Sequence, residues 1–180
     1  LDEALPDESE EMFTSIISDG KAAIRYNDGW IGSLTSWNNL KGYWVNVVDT
    51  LQFSFVSDGV IGRYGESVKS SNIESSIVPE EFSFSQSFKQ AFYFFETISI
   101  NGSSIEEGDW IIAYNDDVVV GAREYNGTII DIPVMGYDGS IYTTGYIEDG
   151  DLPQFKVLSL RTGEIINLEG DIPSWSDNQV

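Results

Sequence analysis

The sequence predicts a mainly β fold: two small antiparallel β-sandwich-like modules in tandem, preceded by a short N-terminal helix. Two observations carry this prediction. Aromatic residues make up 13% of the 180 residues, and such side chains favour strands, where flat rings pack on pleated surfaces. Short alternating apolar segments recur about every ten residues between turn signals, with no helical period between them, as in antiparallel sandwiches.

The first 20 residues are expected to form a short helix that covers one end of a sheet. Pro6 suits a first helical turn, and the acids after it lie where the helix dipole favours negative charge. Apolar residues from Met12 to Ile17 then repeat at helical spacing, and Gly20 offers a stop.

The chain divides into three predicted parts. Residues 1–57 form the helix and a first β module, residues 58–81 a Ser-rich linker or surface excursion, and residues 82–180 an antiparallel sandwich. Strands are predicted at 43–45, 47–48, 53–55, 82–84, 91–95, 98–100, 110–114, 118–120, 129–134, 155–160 and 164–168. The cores are expected to be held by Phe53, Phe55, Phe92, Phe94, Trp110 and Ile112.

Composition restricts the possible functions. Thirty acidic residues against nine basic ones give a formal charge of −21. This charge repels nucleic acids and anionic lipids, so we expect the chain to bind neither. No apolar run approaches the ~20 residues of a membrane helix, so membrane insertion is not expected. The chain has no Cys and no His, which excludes nucleophilic triads and imidazole chemistry. A carboxylate pair stays formally open, but nothing singles out two acids, and we expect no enzyme.

A series of motifs runs along nearly the whole chain: GWIGSLT at 29–35 and KGYWV at 41–45, then QAFYFF at 90–95, GDWI at 108–111, VGAR at 120–123, PVMGYDG at 133–139, TGY at 144–146 and LPQFK at 152–156. In order and spacing these motifs resemble paired β modules that occur together in large secreted proteins of marine bacteria, often near type IX secretion or dockerin-like tails. Similar modules occur in structural proteins of marine viruses.

This resemblance implies a non-catalytic structural or adhesive module, extracellular or on a cell or virion surface, as a building block of a surface, filament or virion assembly. Relatives often carry a Cys pair around the loop matching residues 126–131, which this chain lacks. They also have a strand before the segment matching residues 4–6 and another after the one matching 172–175. Since neither is present, we expect open sheet edges completed by strand exchange, through self-association or neighbouring modules.

Calcium is the one cofactor that the sequence suggests. Acidic side chains cluster in predicted turns and offer the oxygen ligands that hard cations require; the candidates are Asp116, Asp117, Asp138, Asp149 and Asp151. None matches the EF-hand spacing. Asp and Gly also dominate turns for conformational reasons alone, so both interpretations stay open.

A glycan is the alternative ligand, because aromatic faces stack on sugar rings. Trp37 and Trp175 lie among polar residues and are the better candidates, whereas Trp44 and Trp110 lie inside apolar strands and are expected in the core. An exposed Trp can equally anchor a loop or an interface. The alternative function is therefore a calcium-dependent carbohydrate-binding module. Arg123, among acids, is expected to form a structural ion pair.

Overall fold

The computed structural model of the chain describes residues 1, 5, 7–27, 29–38, 40–53 and 78–180, and this part is mainly β. Besides the short helix α1 (Asp7–Glu10), it contains two 3-10 turns, Glu80–Phe82 and Ile141–Thr143. The strands are β1 (Phe13–Ser18), β2 (Lys21–Tyr26), β3 (Gly29–Ile31), β4 (Trp44–Val47), β5 (Gln90–Phe95), β6 (Ser99–Ile100), β7 (Ser103–Ser104), β8 (Trp110–Asn115), β9 (Val118–Glu124), β10 (Ile130–Met135), β11 (Gln154–Leu158) and β12 (Ile165–Asn167).

The predicted N-terminal helix is wrong beyond a single turn. Among the described residues of this segment, the helix is limited to Asp7–Glu10, and the apolar segment that follows is strand β1. Asp19 and Gly20 both have positive φ, at 49° and 74°, so they form a tight reversal that pairs β1 with β2. Two consecutive residues with positive φ are typical of a hairpin turn, and this pairing overrides the weak helical spacing.

The N-terminal sheet has the strand order β3-β2-β1-β4, with antiparallel pairing throughout. Its apolar side chains point to both faces. On one face Ile16, Ala23 and Leu34 pack under Trp30, Trp37 and Tyr43. On the other face Ile17 and Ala22 pack against Phe92 of β5. The N-terminal sheet is thus held on one side by local aromatic residues and on the other by the rest of the fold.

Strands β5 and β10 pair along their full length and form a central ribbon. Because side chains alternate along a strand, this ribbon contributes to two cores. Ala91 and Tyr93 enter the main hydrophobic cluster, whereas Phe92, with the half-buried Phe94, enters the cluster with the N-terminal sheet. The sheet in the predicted first module therefore packs directly on the β5–β10 ribbon of the predicted second module. Residues 58–77 of the predicted linker, and Phe55, lie outside the described residues.

The C-terminal sheet has the order β12-β11-β8-β9 and covers the opposite face of the ribbon. Antiparallel hairpins join β8 to β9, β11 to β12 and β6 to β7. The strand predicted at 82–84 is wrong: Phe82 ends a 3-10 turn and buries its ring with Trp110 and Ile112 on the outer face of this sheet.

Gly121 of β9 lies against the ribbon with no room for a side chain. A Cβ at this position would lie 1.7 Å from the carbonyl oxygen of Pro133 in β10. The C-terminal sheet and the ribbon therefore approach each other at backbone distance, and the glycine is required by that approach.

We predict that Gly121→Ala lowers the free energy of unfolding by about 2 kcal/mol or more, because the added methyl must push two backbones apart. Gly42→Ala is the matched control, since a Cβ there would meet nothing within 4 Å. Equilibrium chemical denaturation of both variants measures the difference. Equal stability of the two variants would contradict the close approach.

Candidate functional site

Strand β5 has an open outer edge. Pro133 of β10, which has no N–H, lies opposite Phe92, so this pair is one of the alternate pairs that exchange no hydrogen bonds in an antiparallel ladder. The N–H and C=O groups of Gln90, Phe92 and Phe94 therefore point away from β10. In the part of the chain that the structure describes, no further strand pairs with this edge.

The C-terminal residues occupy the first part of this edge. The N–H of Asn178 donates to the carbonyl oxygen of Gln90 at 2.7 Å, and the N–H of Phe92 donates to that of Gln179 at 2.9 Å. Asn178 has a positive φ of 60°, and the N–H of Gln179 donates to the carbonyl oxygen of Ser176 at 3.1 Å, so both contacts come from a turn that caps this part of the edge. They reach Phe92, and the edge beyond it, at Phe94, faces a groove.

This groove has a volume of about 850 Å³. Residues 92–95 of β5 form its floor, and its walls are the start of the β6–β7 hairpin and residues 166–173. The lining mixes apolar side chains, such as Ile100 and Ile172, with polar ones, such as Asn101 and Asn167. Tyr93 donates its hydroxyl to the carbonyl oxygen of Pro173 at 3.2 Å, and burial raises the pKa of Tyr93 to about 12. Tyr93 therefore stays protonated, and its hydrogen bond holds the segment at Pro173 against β5.

A buried polar network fastens the N-terminal sheet to the ribbon. The carboxylate of Asp131 accepts the N–H of Ser33 at 2.9 Å and its hydroxyl at 2.6 Å. Arg123 approaches the same carboxylate at 3.3 Å and donates to the carbonyl oxygen of Gly20 at 3.0 Å. The predicted ion pair of Arg123 is thus confirmed, and it links all three layers.

Burial dominates the electrostatics of this pair. Burial raises the pKa of Asp131 above its ordinary value, although Arg123 and the hydrogen bonds from Ser33 oppose the rise. Burial likewise lowers the pKa of Arg123, against the attraction of Asp131. Since the folded pKa of Asp131 is raised, folded Asp131 binds its proton more tightly than unfolded Asp131. Its contribution to stability is largest below pH 3.8 and is lost as the pH rises through the folded pKa.

We therefore predict a pH-dependent difference between the natural chain and Asp131→Asn, which cannot titrate at this position. Relative to the variant, the natural chain should lose unfolding free energy as the pH rises from about 4 towards neutrality. Denaturant titrations of both proteins across this range measure the trend. A natural chain that gains stability over the variant with rising pH would show that the attraction of Arg123 outweighs burial.

The structure places the tryptophans differently from the sequence prediction. Trp175 is 2% exposed, and its indole N–H donates to the carbonyl oxygen of Val134 at 3.0 Å, so its faces are not free to stack on a sugar. Trp37 is half-buried, contacts Tyr43 edge-on and donates to the carbonyl oxygen of Leu1 at 3.3 Å, as a loop anchor does. Trp110 is in the core as predicted, but Trp44 is 45% exposed on edge strand β4.

The candidate calcium ligands lie in separate turns. Asp116 and Asp117 form the tip of the β8–β9 hairpin. Asp138 accepts the hydroxyl of Thr143 at 2.6 Å and the N–H of Ser140 at 3.0 Å, and these hydrogen bonds lower its pKa. Asp is common in such turns because its side chain bonds to nearby backbone and tolerates the turn conformation, so these acids need no metal to explain their positions.

The last two candidates also bond locally. Asp149 accepts the N–H of Asp177 at 3.3 Å, and Asp151 accepts the N–H of Glu148 at 3.0 Å. Within the described ranges, no group of three or more acidic side chains is arranged to hold a metal ion. The structure does not bring the five acids together, and calcium binding stays a prediction.

Comparison with known proteins gave no match to a protein family, a curated protein or a solved structure. No helix in the described part of the chain has the length and apolar character needed to cross a bilayer. The open edge of β5 was not identifiable from local sequence, because it depends on which strands become neighbours. The local sequence contained one signal, Pro133. Because Pro133 has no N–H, it shows which residues of β5 hydrogen-bond to β10 and which point outward.

Proposed function

We propose that the chain is a non-catalytic structural or adhesive module of an extracellular assembly, and that it joins its neighbour by taking up an extended segment at the outer edge of β5. The observation that carries this proposal is the edge of β5 beyond the Phe92 N–H, which pairs with no strand of the described residues and faces the groove at Phe94. Strand addition of this kind derives affinity from main-chain hydrogen bonds and specificity from alternating side chains.

The geometry supports strand addition over a loose apolar contact. Residues 178–179 already make two backbone hydrogen bonds to this edge, so its outward N–H and C=O groups are open to main-chain partners. Open edges of this kind are a hazard in a free protein, since they template pairing with other chains. In a surface, filament or virion assembly, the same edge becomes a joint between neighbouring modules.

The proposal predicts that a donor strand supplied in cis will stabilise the fold. A flexible Gly-Ser linker and an alternating Thr-Val segment, appended after Val180, should raise the melting temperature by about 2–4 °C, the shift expected for about 1 kcal/mol in a chain of this size. Fusion places the segment at high effective concentration beside the groove. Differential scanning calorimetry of the fused and unfused chains measures the shift.

Two variants at one position test the mechanism. Phe94→Pro removes the N–H that faces the groove but keeps the ladder to β10, because that N–H points away from β10. Phe94→Ala shortens the same side chain and keeps the N–H. The fused segment should stabilise Phe94→Ala and have no effect on Phe94→Pro. Equal stabilisation of both variants, or none in the natural chain, would contradict strand addition.

A second candidate function, calcium-dependent carbohydrate binding, is favoured by one observation. A groove of about 410 Å³ between the β1–β2 turn, residues 40–44 and residues 86–88 is lined by Trp44 and Phe88, with Gln86, Gln90 and Asp138 beside them. Trp44 and Phe88 are 45% and 63% exposed. Exposed aromatic faces beside a few polar groups are suited to a sugar ring.

This candidate predicts that neutral oligosaccharides bind the chain on a glycan array and that Trp44→Ala abolishes the signal by removing the stacking face. Trp37→Ala is the matched control outside this groove. Arrays run with calcium and with chelator show whether a cation takes part. An unchanged signal in Trp44→Ala would exclude this groove as the sugar site.

A further inference from the structure

We infer that the extended segment taken up at β5 belongs to a partner protein and carries Lys or Arg beside its alternating apolar residues. This inference rests on the proposed function and names the chemistry of its partner. It follows from the charges around the groove and from the distribution of basic residues in the chain itself.

The charged side chains that line the groove are both acidic. Glu169 and Asp171 are exposed in the wall formed by residues 166–173, and the other described lining side chains are uncharged. The chain as a whole carries a formal charge of −21. Complementary potentials steer association and reject partners of like charge, so the groove favours a cationic segment over a neutral or acidic one.

A second copy of this chain is poorly suited to supply the added segment, because it is strongly acidic like the groove. Of its nine basic residues, Arg63 and Lys69 lie outside the described part. In the remainder, four are already ion-paired, namely Arg25 with Glu10, Lys41 with Asp19, Arg123 with Asp131 and Arg161 with Glu106. Lys156 lies over the ring of Tyr114 at 4.3 Å. Another copy would bring its own net charge of −21 and few unpaired cations.

The groove also limits the pattern of the segment. Its backbone must lie along β5 and present an N–H and a C=O to Phe94. Since side chains alternate along a strand, every second one faces the protein and meets the apolar lining around Phe94 and Ile172. Cationic side chains at the segment ends can then approach Glu169 and Asp171.

Three soluble peptides test this inference. Each has a Val-Thr-Val-Thr-Val centre with blocked termini, and the flanking residues are Lys, Gln or Glu. We expect the Lys peptide to bind about tenfold more tightly than the Glu peptide at low salt, with the ratio falling as salt screens the charges. NMR titration measures the affinities, and hydrogen exchange of the Phe94 amide reports whether the peptide lies on the edge.

Charge variants and backbone controls separate the possible outcomes. E169Q with D171N should bring the ratio of the Lys and Glu peptides close to one, whereas D116N with D117N, the same charge change at a hairpin tip, should leave it unchanged. Equal binding of all three peptides with protection of Phe94 would overturn the cationic partner and keep strand addition. N-methylation along one edge of the Lys peptide removes the N–H groups that pair with β5. If the methylated peptide bound as tightly as the unmethylated one, strand addition itself would be overturned. Dimerisation of the chain with protection of Phe94 would identify a second copy as the partner.

Discussion

The fold depends on the pairing of β5 with β10. This ribbon packs on the N-terminal sheet with one face and on the C-terminal sheet with the other, so its six residue pairs hold the two four-stranded sheets together. Side chains of β5 alternate between the main cluster and the cluster with the N-terminal sheet, so each face of the ribbon contributes to a hydrophobic core. Gly121 lets the C-terminal sheet approach one face at backbone distance, and Asp131 receives Ser33 on the other.

Much of the C-terminal half was predictable because its signals are local. Turn residues such as Asn101-Gly102, and the apolar runs on either side of Asn115-Asp116-Asp117, specify hairpins whose strands are neighbours in sequence. The N-terminal half was harder. Residues 13–18 suit a helix or a strand equally by spacing, and the outcome was decided by the turn at Asp19-Gly20 and by pairing with β4.

Candidate site residues were predicted less well than the fold, because their accessibility depends on distant contacts. Polar neighbours in sequence suggested that Trp175 is exposed, yet Gly136 leaves space for its ring beneath the ribbon. Apolar neighbours suggested that Trp44 is buried, yet β4 forms an edge of its sheet, and its residues are exposed. The open edge of β5 follows from sheet order, which local patterning does not encode.

The burial of Trp175 has a mechanical consequence. Its backbone exchanges hydrogen bonds with the turn at residues 150–151, and its indole is held by the carbonyl oxygen of Val134. Tension applied at Val180 first loads the hydrogen bonds of residues 178–179 to β5 and then reaches Trp175, whose ring is buried in the main core. The contact proposed at the edge of β5 therefore lies next to a buried anchor of the C-terminal segment, and a force applied there is transmitted to the ribbon through Trp175 and Val134.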